Sequence, residues 1–151
     1  MKKKLASILS LFALTSCVTL QQQTGTSMIQ KDSLGKWKGT DFAGHGEVTV
    51  ENGVLKIGMG IELTGVNWTG ELPKEDYEIS FEGRRVQGND FFCGLTFPVK
   101  DKHATLVLGG WGGALVGISS LDNLDASENE TGDVYIFEDG DWYAIKLHVL
   151  S

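Results

Sequence analysis

The chain has 151 residues, 41% of them hydrophobic, with 20 acidic against 13 basic side chains and a net charge of −7. The basic surplus that would meet phosphates is missing, which excludes nucleic acid as a partner and electrostatic adsorption to anionic lipid. Two cysteines, Cys17 and Cys93, allow one disulfide at most, so this is not a disulfide-stapled scaffold.

Residues 1–17 read as a targeting segment. Met1-Lys2-Lys3-Lys4 gives a basic start, Leu5 to Leu14 an apolar stretch too short for a permanent membrane span, and Leu14-Thr15-Ser16-Cys17 the end. The last four residues resemble the lipobox of bacterial lipoproteins. That resemblance implies lipidation of Cys17, which becomes the mature N-terminus, and a place in the cell envelope, on the outer membrane. Membrane attachment is then through the acyl chains alone. Removing Lys2, Lys3 and Lys4 from the 13 basic residues leaves 10 against 20 acidic ones, a balance near −10. Residues 18–33 are polar and aperiodic and read as a tether, with a domain over 34–151.

Within that domain, Glu47–Val50 and Val54–Ile57 flank Asn52-Gly53, the strongest two-residue hairpin signal, because both central positions of a type I′ turn need positive φ. The turn predicts pairing of Val50 with Leu55 and of Val48 with Ile57, with Thr49 and Lys56 toward solvent. Residues 58–70 hold short strand pieces broken by glycines.

Tyr77 to Val99 is the stretch around which the domain is organised. Tyr77, Ile79 and Phe81 alternate with Glu78, Ser80, Glu82 and Arg84, and Phe91, Cys93, Leu95, Phe97 and Val99 alternate with Phe92, Gly94 and Thr96. Successive strand side chains point to opposite faces, so one face is apolar and the other polar. A turn at Gly88-Asn89 predicts a hairpin with Phe81 opposite Leu95 and Ile79 opposite Phe97. Cys93 falls on the apolar face and reads as a small buried hydrophobe whose thiol is not reactive.

Ala104–Leu108 and Ala114–Ile118 are apolar on both faces, as the middle strands of a covered sheet are, and Gly109-Gly110-Trp111-Gly112-Gly113 joins them. Residues 119–131 form an acidic loop that Leu121 and Leu124 anchor as one helical turn. Val134–Phe137 and Trp142–Val149 read as a last hairpin across Asp139-Gly140. Nowhere does an apolar stripe of helical period occur. The class is all-β, with one greasy and one polar face per sheet, half of a β-sandwich.

The order WKGTDF, EVTVENGVLKIG, TGVNWTGEL, YEISFE, DFFCGLTFPV, GGWGG, SSLDNLDASENET and FEDGDWYAIKLHV resembles the 3-keto-disaccharide hydrolase domain family, from about Leu34 onward. The resemblance implies a concanavalin A-like jelly-roll β-sandwich. Domains of that family continue past the strand matching Trp142–Val149, so the resemblance also implies a sandwich truncated at its C-terminus and marginally stable.

Two functions follow, binding of carbohydrate or hydrolysis of an oxidised glycoside, with a purely structural lipoprotein as a third. Related family 16 glycoside hydrolases carry three carboxylates on one strand face; here Glu78-Ile79-Ser80-Phe81-Glu82 has Ser80 in the middle position, which argues against a retaining glycosidase. The 3-keto chemistry needs a base and a polarising group, for which His45, Glu62, Asp101 and His103 are the candidates, each also readable as surface decoration. For sugar binding the candidates are Trp68 and Trp111, whose rings either stack on sugar or plug the sandwich edge, with Asn67, Glu82 and Arg84 beside them. No cofactor is expected. Asp122, Asp125, Glu128 and Asn129 are candidate oxygen ligands for a Ca²⁺ ion, without the spacing of a known calcium loop.

Overall fold

In the computed structural model residues 25–151 are described; the signal segment, Cys17 and residues 18–24 of the expected tether lie outside them. The described residues form two compact units, one ending at Thr69 and the other running Gly70–Ser151. The protein is all-β and its sheets are antiparallel. No described helix is long and apolar enough to cross a membrane.

The first unit holds β1 (Trp37–Gly39), β2 (Val48–Glu51), β3 (Val54–Ile57) and β4 (Val66–Trp68). β2 and β3 form the predicted hairpin in the predicted register, Val50 opposite Leu55 and Val48 opposite Ile57. Asn52 and Gly53 both take positive φ, 53° and 78°, as the turn requires. Part of the expected tether is tied to this turn: Gly53 N–H donates to Lys31 O at 2.6 Å, and Asn52 N–H to the Asp32 carboxylate at 2.9 Å. β1 pairs with β4, bringing Trp37 and Trp68 together edge to face with centroids 5.2 Å apart.

The second unit contains β5 (Tyr77–Gly83), β6 (Cys93–Val99), β7 (Lys102–Gly109), β8 (Leu115–Ser119), β9 (Asp133–Val134) and β10 (Tyr143–Val149). Here two of the expected pairings are replaced. β5 does not form a hairpin with β6; it pairs with β10 along its whole length, Phe81 opposite Ile145 and Ile79 opposite Leu147. β6 pairs with β7 in a four-stranded sheet of order β6-β7-β8-β9. The expected last hairpin is also absent, because residues 135–142 form a loop and β9 joins β8 instead.

The facing was nevertheless right. Tyr77, Ile79, Leu147 and Val149 of one sheet pack on Phe97, Val99, Ala104, Leu106 and Ile118 of the other. The apolar faces of β5 and β6 meet across the two sheets rather than side by side within one. Alternation states which face a residue occupies, and both arrangements bury the same odd positions. Beyond this core, Phe92, Phe137 and Tyr143 form an aromatic cluster, Phe92 stacked on Phe137 at 4.5 Å and Tyr143 edge-on to both.

Two local expectations also change. The strand begins at Cys93, so alternation does not extend back: Phe92 turns inward and Phe91 is 47% exposed. Leu121 and Leu124 make a β-bridge around Asp122 and Asn123, which take left-handed φ of 52° and 64°, a tight turn and not a helical one.

Candidate functional site

Pairing of β5 with β10 builds a polar face that neither strand has alone. Inward residues are apolar, so alternation turns Glu78, Ser80 and Glu82 of β5 outward beside His148, Lys146 and Ala144 of β10, their direct cross-strand partners. Ser80, Glu82, Ala144 and Lys146 stand at the corners around the Phe81–Ile145 pair and line an open depression of about 340 Å³. The depression is shallow and open, so a ligand resting in it keeps one side in solvent. Ala144 is the small corner, and its lone methyl group leaves room opposite Glu82.

Both ends of the depression are furnished. Just past the strand ends, the Arg84 guanidinium lies over the Trp142 ring, 4.8 Å from its centroid, and Trp142 stays 49% exposed. At the other end Glu78 bridges two basic side chains, Oε1 to Lys146 Nζ at 3.2 Å and Oε2 to His148 Nε2 at 2.7 Å. The hydrogen bond from Lys146 holds the Glu78 carboxyl below its ordinary value; partial desolvation opposes this, and the charges of Lys146 and His148 add to it. Glycoside hydrolysis needs one carboxyl kept protonated near neutral pH, and Glu78 is pushed the opposite way. Its partner on the strand is remote, since four residues of extended chain separate Glu78 from Glu82 by about 13 Å. Among the described residues Glu82 forms no ion pair. The face offers donors, acceptors and one aromatic ring, a set suited to holding a polar ligand.

Of the residues expected to bind sugar, the structure brings Glu82 and Arg84 to this face. Trp68 and Asn67 belong to the first unit, where Trp68 packs half-buried on Trp37 with Lys36 over its ring, and Asn67 Nδ2 donates to Thr40 Oγ1 at 2.9 Å. The Trp68 ring is held by its edge-to-face contact with Trp37, and its indole nitrogen is buried without a hydrogen-bond partner among the described residues.

Trp111 stands at the tip between β7 and β8, in the tight turn Gly110–Gly113, whose two middle residues are not in the right-handed helical conformation. Its own backbone is left-handed, φ 48° and ψ 55°, and its ring is 51% exposed beside Phe91, centroids 5.8 Å apart. Holding a non-glycine residue there costs about 1–2 kcal/mol. The glycines around it are required: a Cβ at Gly110 would stand 2.7 Å from Val107 Cγ1, and one at Gly113 2.6 Å from Asn89 O.

The candidates for the 3-keto chemistry are divided between the two units. His45 and Glu62 lie exposed on neighbouring loops of the first unit, joined through Ile61 N–H to Gly44 O at 2.9 Å, and the His45 Nδ1 sits 2.9 Å from Gly46 O. In the second unit Asp101 belongs to the β6–β7 turn and accepts from Lys74 Nζ at 3.2 Å, whereas His103, expected in that turn, is exposed on β7 opposite Pro98. Asn129 pins its own loop, its amide donating to Ile118 O and Asp125 O and its oxygen accepting from Thr131. No group of three or more His, Cys, Asp or Glu is placed to hold a metal ion among the described residues, and Asp122, Asp125 and Glu128 do not converge.

Trp142, Lys146 and His148 were missed as site residues, although the alternation of Trp142, Ala144, Lys146 and His148 was the available signal. What was lacking was the pairing partner that sets them against Glu78 and Glu82. No protein family, curated protein or solved structure matches the chain.

Proposed function

We propose that the chain is a carbohydrate-binding protein of the cell envelope, anchored by lipid on Cys17, with an oligosaccharide lying in the β5–β10 depression and one sugar ring against Trp142. The observation that carries this reading is the open depression bounded by Ser80, Glu82, Ala144 and Lys146, with the exposed Trp142 ring steadied at its end by Arg84. Aromatic faces suit the C–H-rich faces of sugars, and flanking carboxylate, hydroxyl and ammonium groups suit hydroxyls. A concanavalin A-like jelly roll and kinship with the 3-keto-disaccharide hydrolase domains belong to the same proposal, supported by the motif order and the antiparallel all-β build.

Calorimetric titration of the purified chain against a panel of neutral and acidic oligosaccharides tests it. Trp142→Ala is expected to weaken binding by about tenfold, the worth of an aromatic contact. Unchanged affinity in a folded Trp142→Ala protein removes the site from this face. For the anchor, Cys17→Ser is expected to release the protein from the membrane fraction, and unchanged fractionation overturns that part.

A second reading has its own support. The His148 imidazole, 2.7 Å from Glu78, and Lys146 on the same face form a base oriented by a carboxylate beside a cationic group. That pairing suits abstraction of the acidified C2 proton of a 3-keto-glycoside, with Lys146 polarising the ketone. Turnover of a 3-keto-disaccharide that His148→Gln abolishes establishes this activity. Absence of turnover by the unaltered protein leaves the binding function alone.

A further inference from the structure

The Trp111 turn is linked to the depression through two consecutive arginines. Arg84 turns its side chain to the outer face and stacks on Trp142. Arg85 turns the other way and fastens the turn's support: Nη1 donates to Asp90 O at 2.7 Å, Nη2 to Phe137 O at 2.8 Å, and Nε to the Asp139 carboxylate at 2.5 Å. The Asp90 carboxylate in turn accepts the Gly112 N–H at 3.0 Å. Phe91 follows Asp90 directly, and its ring sits over Gly110, where any Cβ would come within 3.2 Å. The result is a pair of exposed rings, Phe91 and Trp111, tilted by 43° on a backbone that tolerates little change. Trp111 keeps half of its surface exposed in a strained conformation while touching Phe91, and together the two rings present an apolar patch to a ligand.

We propose that Phe91 and Trp111 form a second sugar-ring platform at the same end of the unit as Trp142, so that the natural ligand is a neutral polysaccharide engaged at both places. This rests on the carbohydrate reading above. Phe92, next to Phe91, lies against Gly83 and edge-on to Tyr143, the chain neighbours of Arg84 and Trp142, so both aromatic contacts stand at one end of the unit, where a long glycan can meet both. The acidic balance of the chain, −7, favours an uncharged polymer over an anionic one and disfavours insertion of the two rings into an anionic bilayer. Two weak contacts on one polymer multiply, so retention on long chains exceeds what either contact gives a short sugar.

The test compares short and long glycans with the full-length chain. Maltotriose and cellotriose are titrated as short probes, and insoluble starch, cellulose and chitin serve as long ones in sedimentation. Trp111→Ala and Phe91→Ala are expected to lower retention on the bound polymer about tenfold or more while leaving trisaccharide affinity within about twofold. Trp111→Gly, which suits the left-handed backbone, supplies a variant whose fold is secure, and it is expected to behave like Trp111→Ala. Retention unaltered in Trp111→Gly overturns the platform while leaving the depression in place. Failure of the unaltered chain to bind any short or long glycan overturns both proposals. Loss of sedimentation with phosphatidylcholine vesicles in Trp111→Gly, without loss on the polymers, also overturns the platform and assigns the rings to a lipid surface.

Discussion

His148 and Glu78 are direct cross-strand partners in the β5–β10 ribbon, with Nε2 and Oε2 2.7 Å apart. Lys146 reaches the same carboxylate from the neighbouring pair, so one carboxylate ties two residues of β10 to β5. Because its pKa is lowered from the ordinary 4.5, Glu78 contributes stability that is present above that value and is lost as the pH falls through its lower folded value. Unfolding midpoints measured from pH 7 to pH 2.5 should therefore fall in that acidic window. Glu78→Gln should lower the midpoint slightly at neutral pH and flatten the curve below pH 4.5. The effect is small and salt-sensitive because the pair is exposed. An identical acid profile in the variant shows that the ribbon does not depend on this contact.

Ala144 keeps the depression open opposite Glu82. Ala144→Trp places a large ring on an outward position of β10, where strand propensity is favourable and no core atom is disturbed. Oligosaccharide affinity should drop by at least about tenfold while the melting temperature stays within a few degrees, since surface changes away from special features are usually within about 0.5 kcal/mol. Calorimetry and thermal melting on one sample separate the two effects. Retained binding moves the ligand off this face.

The turn carrying Trp111 predicts opposite outcomes for two neighbouring substitutions. Gly113→Ala puts a Cβ 2.6 Å from the Asn89 carbonyl at φ 99°, so it should lower stability by about 2 kcal/mol or more. Trp111→Gly removes the left-handed strain at φ 48° and should cost little or even stabilise, the strain being worth about 1–2 kcal/mol. Chemical denaturation decides. A large loss of stability in Trp111→Gly makes the ring a structural plug.

Cys93 faces inward on β6, and burial pushes its thiol up from 9.0 to about 11. In a Cys17→Ser background, alkylation by iodoacetamide at pH 8 should be slow in the native protein and fast after unfolding. The raised value makes the thiol's contribution full below pH 9.0 and lost as the pH rises through about 11, so Cys93→Ala should reduce the alkaline fall in stability over that window. Rapid native labelling places Cys93 at an open surface.

The sequence by itself determined the all-β class, the β2–β3 register to the residue, and the inward face of the alternating residues of β5 and β6. Each of these rests on neighbours close along the chain: Asn52-Gly53 needs positive φ wherever it sits, and a period of two needs only the strand itself. Which strand lies beside which was decided by the tertiary structure. Ile79 buries its side chain equally well with Phe97 beside it in one sheet or across from it in the other, and only the second arrangement lets β10 pair with β5 and β6 with β7. The candidate site depended on that choice. Glu82 and Arg84 were legible as an outward polar stripe, but Lys146, His148 and Trp142 joined them only when a strand 66 residues further along was hydrogen-bonded alongside. Long-range pairing follows from the packing of the whole unit, and alternation within a strand carries no record of it.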